Sequence, residues 1–143
     1  MSAPETQYLE GAPEAVRGFF AEFYTLLDGE TSDAAIGWSR SFTEDGEFHF
    51  PGQAYTGRAA IRAQREAFWG AFPGLVHTPL RVYPLPTLPL QFVVVNRFDF
   101  TTKDGARFAH TAAEYTLVES EGSYLVEKLV LYMVGTDFLD AVS

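Results

Sequence analysis

Apolar residues in the first third of the chain recur every three or four positions. Val16, Phe19, Phe20, Phe23, Leu26 and Leu27 form one face of a helix that Pro13 opens and Asp28-Gly29 closes. A second, shorter helix takes Thr31 or Ser32 as its cap and carries Ala34, Ala35, Ile36 and Trp38. The period then breaks, and residues 42–50 read as a short strand stopped by Pro51-Gly52. Thr56 is the expected cap of a third helix bearing Ala60, Ile61, Phe68, Trp69 and Phe72, closed by Pro73-Gly74. Beyond Leu75 the period falls to two, and turn signals divide the rest into four strands, near 76–83, 91–101, 107–118 and after Gly122. Residues 1–11 mix Pro, Glu, Gln and Gly without a period, which predicts a flexible lead-in to a single domain over 12–143.

Turn chemistry sets the expected registers. Asp104-Gly105 predicts a two-residue type I′ hairpin with Phe98 opposite Thr111, Asn96 opposite Ala113 and Val94 opposite Tyr115 on an apolar face. Asp99 then faces His110 on the other side, together with Arg97 and Glu114. For the last hairpin two turns fit. A three-residue loop, Ser120-Glu121-Gly122, sets Lys128 opposite Glu114 and puts Glu127 on the apolar face opposite Tyr115, alongside Leu125, Leu129, Leu131 and Met133. A two-residue turn at Glu121-Gly122 would flip the whole final strand, and the three-residue loop is the preferred reading.

Composition narrows the function. The 143 residues suffice for one self-sufficient domain, and a hydrophobic share of 47% is too high for a disordered chain. With 19 acidic against 10 basic residues, the net charge of −9 repels phosphate backbones and anionic bilayers, so neither nucleic acid nor membrane is an expected partner. There is no cysteine, and the three His residues are scattered, so no metal and no cofactor is expected. Without a basic and apolar leader or an 18-residue apolar stretch, the reading is a soluble, cytoplasmic protein. Thirteen Phe, seven Tyr and two Trp either fill a core or line a pocket for an apolar ligand.

Several motifs then point to a family. They are Phe42-Thr43-Glu44-Asp45-Gly46, Pro51-Gly52, Gly57-Arg58-Ala59-Ala60-Ile61-Arg62 and the strand after Glu121-Gly122, in the order three helices then sheet. Over roughly residues 13–138 the chain resembles the SnoaL-like branch of the nuclear transport factor two-like superfamily, which includes the ketosteroid isomerases. The resemblance implies an α+β cone in which three N-terminal helices pack on a curved antiparallel sheet around a central pocket. It also implies a homodimer through the outer sheet face. The ketosteroid isomerase dyad does not carry over: its base falls on Phe50 and its second acid near Ala113, while its helix-one tyrosine corresponds to Tyr24.

The inferred pocket is lined by Tyr24, Phe48, Phe50, Trp69, Asn96, Phe98 and Thr111 as ligand-binding residues, with Glu127, Tyr115 and His77 as the candidates for catalysis. Glu127 leads, because a carboxylate on an apolar face is desolvated and suited to trade protons. Asp99 and His110 resemble a base with its orienting carboxylate but share a face with Arg97, Glu114 and Lys128, which reads as an ion-paired outer surface. The function this implies is binding of a hydrophobic or polycyclic small molecule, with cofactor-free isomerase, lyase or cyclase chemistry in secondary metabolism. The alternative is a non-catalytic ligand-binding or dimerising module of the same fold.

Overall fold

The computed structural model describes residues 6–8, 12–72 and 74–133. The three helices are α1 (Glu14–Asp28), α2 (Ser32–Ser39) and α3 (Arg58–Ala71). Pro13 precedes α1 with extended backbone, and the helix buries Val16, Phe20, Phe23 and Tyr24. Thr31 caps α2 by accepting the Ala34 amide at 3.1 Å. Two strands separate α2 from α3, β2 (Phe42–Phe50) and β3 (Gln53–Thr56), because Pro51-Gly52 turns the chain into a hairpin instead of ending the sheet. Thr56 is therefore spent opposite Glu47, and α3 takes Gly57, at φ +89°, as its N-cap in place of the expected Thr56. Gly46 lies buried in β2, where an added Cβ would stand 2.9 Å from that of Phe42. A side chain there would displace the strand.

The remaining strands are β4 (Val76–Pro84), β5 (Gln91–Thr102), β6 (Gly105–Ser120) and β7 (Ser123–Met133), preceded in the chain by the two-residue β1 (Gln7–Tyr8). They form one curved, open sheet in the order β1-β4-β5-β6-β7-β2-β3, and the helices pack on it. The central pairings are antiparallel as expected, but β1 beside β4 and β2 beside β7 run parallel, so the sheet is mixed. Gln7 and Tyr8 thus belong to the sheet although they fall within the expected lead-in; residues 1–5, 9–11, 73 and 134–143 lie outside the described residues. Among the described residues no helix is long and apolar enough to cross a membrane.

Both hairpin registers differ from expectation, with opposite consequences. The β5–β6 turn is Lys103-Asp104, with Thr102 opposite Gly105. Asp104 does not adopt the positive φ that a type I′ turn demands at both central residues, whereas Gly105 has φ +119°. Every pair slides by two, so Phe98 meets Ala109 and Asn96 meets Thr111, and each residue keeps its predicted face. In β6–β7 the turn is Glu121-Gly122, at φ +49° and +82°, with Ser120 opposite Ser123. A β-bulge then intervenes: Leu117 meets Val126 but Thr116 meets Lys128, which leaves Glu127 as the extra residue. Val126 and Leu129 are both buried, and Glu127 is exposed.

Candidate functional site

The helices do not seal the concave sheet face completely. Between α1, α2, α3 and the strands lies a cavity of about 70 Å³. Of the expected binding residues, Tyr24, Phe48, Phe50, Asn96, Phe98 and Thr111 line it, as do Tyr115 and His77 from the catalytic candidates. Two corrections follow. Trp69 does not line the cavity; its neighbour Phe68 does, because one position along a helix turns a side chain by about 100°. Glu127, placed opposite Tyr115 in the expected register, is exposed, because the two-residue turn puts Val126 on the inner face and the bulge leaves Glu127 as the extra residue, so that Leu129 faces Tyr115. Asp99 pairs with Arg97 at 3.0 Å, and His110 is exposed opposite Arg97, so this group stays on the outer face as expected.

At the end of α1, consecutive residues anchor two polar side chains. Asp28 accepts the His77 backbone amide at 2.9 Å through Oδ2 and touches the His77 ring Nδ1 at 2.6 Å through Oδ1. A carboxylate only accepts, so Nδ1 donates, and in the neutral imidazole Nε2 keeps its lone pair for a ligand. The imidazole is bracketed by the Tyr24 and Phe98 rings, with centroids 6.1 and 5.6 Å away. One residue earlier, the Leu27 carbonyl accepts Arg65 Nε at 2.6 Å. Arg65 is 3% exposed, and burial pulls its guanidinium below the ordinary 12.5, opposed by the charges of Asp28 and Glu30.

Deeper in the cavity, Tyr24 and Tyr115 share a hydrogen bond of 2.6 Å between their hydroxyls, and Asn96 Nδ2 donates to Tyr24 Oη at 2.9 Å. Burial pushes both phenols well above their ordinary value of 10.0, with the neighbouring Tyr24 adding to the rise at Tyr115, so both stay neutral at physiological pH. Two phenolic protons serve one bond between the rings. One O–H is therefore left over to donate to a ligand oxygen. Asn96 Oδ1, Arg65 Nη1 and Trp38 Nε1 are buried with no hydrogen-bond partner among the described residues.

The His77–Asp28 contact, a spare phenolic donor and apolar walls thus meet in one cavity of an α+β cone, and no group of metal-ligating side chains is found among the described residues. A family profile described as a SnoaL-like domain matches residues 20–122, and the chain belongs to that family. No curated protein matches its sequence. Among solved structures it is similar to Aln2 from a Streptomyces species, at 21% identity and TM-score 0.71 over 92% of this chain and 98% of that one. A Catenulispora acidiphila protein described as having a ketosteroid isomerase-like fold matches at 15% identity and TM-score 0.71, covering 91% and 92%. A putative scytalone dehydratase from Novosphingobium aromaticivorans matches at 17% and 0.68, covering 85% and 83%. At these identities the likeness establishes the fold.

Two residues of the site escape sequence reasoning. Asp28 reads as a helix stop, yet a carboxylate at a helix C-terminus opposes the macrodipole and calls for a partner. Arg65 lies on the same face as Ile61, Phe68 and Phe72 in the helical repeat, a lone charge on an apolar stripe.

Proposed function

We propose that the cavity is the active site of a cofactor-free lyase, isomerase or cyclase of secondary metabolism, acting on a hydrophobic, aromatic or polycyclic ketone in the cytoplasm. The contact between His77 and Asp28 inside the lining carries this reading. His77 Nε2 removes a proton from the carbon beside the carbonyl, and the spare O–H of the Tyr24–Tyr115 pair donates to the carbonyl oxygen as it becomes an enolate. Return of the proton from His77 to another carbon completes an isomerisation. Its delivery to a hydroxyl leaving the β carbon releases water and completes an elimination. Attack of the enolate carbon on a second carbonyl, with the proton passing to the new alkoxide, closes a ring. Similarity to a protein described as a putative scytalone dehydratase fits the elimination.

The cavity of about 70 Å³ is about half of the ~150 Å³ that accommodates benzene, so even one ring of a polycyclic ligand enters only if lining side chains give way, and the rest stays outside. Among the described residues, Phe50, Gln64 and Phe68 line both this cavity and a wider cleft that could take the remainder. The small volume also favours a second reading, a binding module without turnover. The test is hydrogen–deuterium exchange at the α carbon of 2-tetralone in heavy water, followed by NMR. Acceleration by the protein and its loss in His77→Asn support the enzyme. Absence of acceleration favours the binding module.

The same proposal includes a homodimer through the outer sheet face, where Val76, Phe108 and Tyr132 are about half exposed beside the Arg97–Asp99 pair. A monomer by light scattering at micromolar concentration counts against it.

A further inference from the structure

Arg65 has more hydrogen-bonding capacity than its structural task uses. Its Nε caps α1 through the Leu27 carbonyl, where a cation suits the negative end of the helix dipole. That accounts for one N–H. Nη1 is buried without a partner, and the side chain lines the cavity. No carboxylate among the described residues forms an ion pair with it: Asp28 is held by His77, and Glu30 accepts the Gly74 amide at 2.7 Å. A cap alone would not justify burying a whole guanidinium, because a buried charge without a counter-ion is strongly disfavoured.

We propose that Arg65 is an anion subsite and that the ligand is an aromatic compound bearing an anionic oxygen, a carboxylate or an ionised phenol, docked on Nη1. The inference rests on the reading of the cavity as a ligand site and narrows the ligand from a hydrophobic molecule to an aromatic acid. Arg65 and His77 are anchored to consecutive residues, Leu27 and Asp28, so an oxygen held by Arg65 fixes the ring against the base. Asp28 and Glu30 favour the charge without pairing directly with Nη1, and the ligand brings the direct counter-ion. Asn96 Oδ1, an acceptor, serves a hydroxyl elsewhere on the same molecule.

Titration calorimetry with benzoate, 4-nitrophenolate and benzamide at mildly alkaline pH, where the nitrophenol is ionised, tests this, because the three are similar in size and only benzamide is uncharged. Wild-type protein is expected to bind at least one of the anions about tenfold or more tighter than benzamide; which anion it favours identifies the source of the oxygen. Arg65→Met is expected to lose that preference while still binding benzamide, which shows an intact cavity. If Arg65→Met does not fold, Arg65→Gln keeps an N–H for the Leu27 carbonyl and removes the charge together with Nη1 and Nη2. Equal binding of all three by wild type, or a preference that survives in both variants, overturns the anion subsite alone. Failure of all three to bind overturns it together with the ligand site. His77→Asn is expected to leave the preference unchanged, so a failure of the catalytic reading is distinguishable from a failure of this one.

Discussion

The two ends of the space between helices and sheet are packed on different terms. At one end Phe20, Phe23, Trp38, Phe42 and Tyr115 meet edge to face or tilted, with ring centroids 5.0 to 6.0 Å apart, and the tyrosine hydroxyl is the main polar intrusion. At the other end Asp28, His77, Arg65 and Asn96 surround a gap, each held by a hydrogen bond to another element. The rigid end fixes where α1 lies against β6, and α1 carries Tyr24, Leu27 and Asp28 to the other. Precision at the polar end is therefore borrowed from close packing several residues away.

Substitutions should separate the two ends. Phe23→Ala empties fully enclosed space and is expected to cost about 3–5 kcal/mol of stability, measured by denaturant unfolding. His77→Asn is expected to leave the unfolding free energy within about 1 kcal/mol while reducing ketone exchange by ~10²–10⁴-fold; a loss of stability as large as that of Phe23→Ala would place His77 in the core instead. Tyr24→Phe touches both ends. It leaves Asn96 Nδ2 without its acceptor, so it is expected to cost about 1–3 kcal/mol and to slow exchange as well.

Alkaline pH offers a subtler probe. Because burial raises both phenols in the folded protein above 10.0, folded and unfolded chains hold the same protons below about pH 10, and stability there does not depend on them. Above that value the unfolded chain releases its phenolic protons first, so stability falls as pH rises. Thermal unfolding measured between about pH 9 and 11 should show the fall, with a shallower slope in Tyr115→Phe. The smallest effect is expected at Glu127, where Gln or Leu should change stability by no more than about 0.5 kcal/mol and leave exchange untouched.

The helices and the inner face of β5 and β6 are legible in the sequence because period alone assigns a face, and a register slide of two residues in their hairpin preserves parity. Glu127 is not: the two-residue turn shifts parity by one as far as Val126, a bulge at Glu127 restores it for Leu129 and Leu131, and no residue type marks that bulge in advance. The favoured loop length also puts Lys128 opposite Glu114, whereas Val130 stands there and Lys128 meets Thr116. Tyr24, Asn96 and His77 can be named from the sequence as pocket residues, but their hydrogen bonds join positions 49 to 91 residues apart. Such pairing depends on how α1 docks on the sheet.

The margins of the sheet carry one more consequence. A sheet this rich in Val and Phe would be a template for fibril growth if a long strand lay bare at its border. Instead it terminates in a four-residue strand on one side and a two-residue strand on the other. The neighbour of that shorter border strand, β4, pairs with it at Arg81 and Val82 among the described residues, has a register irregularity between Pro79 and Arg81, and offers no N–H to an incoming chain at Pro79 and Pro84. Pairing of another chain along β4 is thus opposed by a few border residues, and replacing those two prolines is expected to ease it while leaving the cavity as it is.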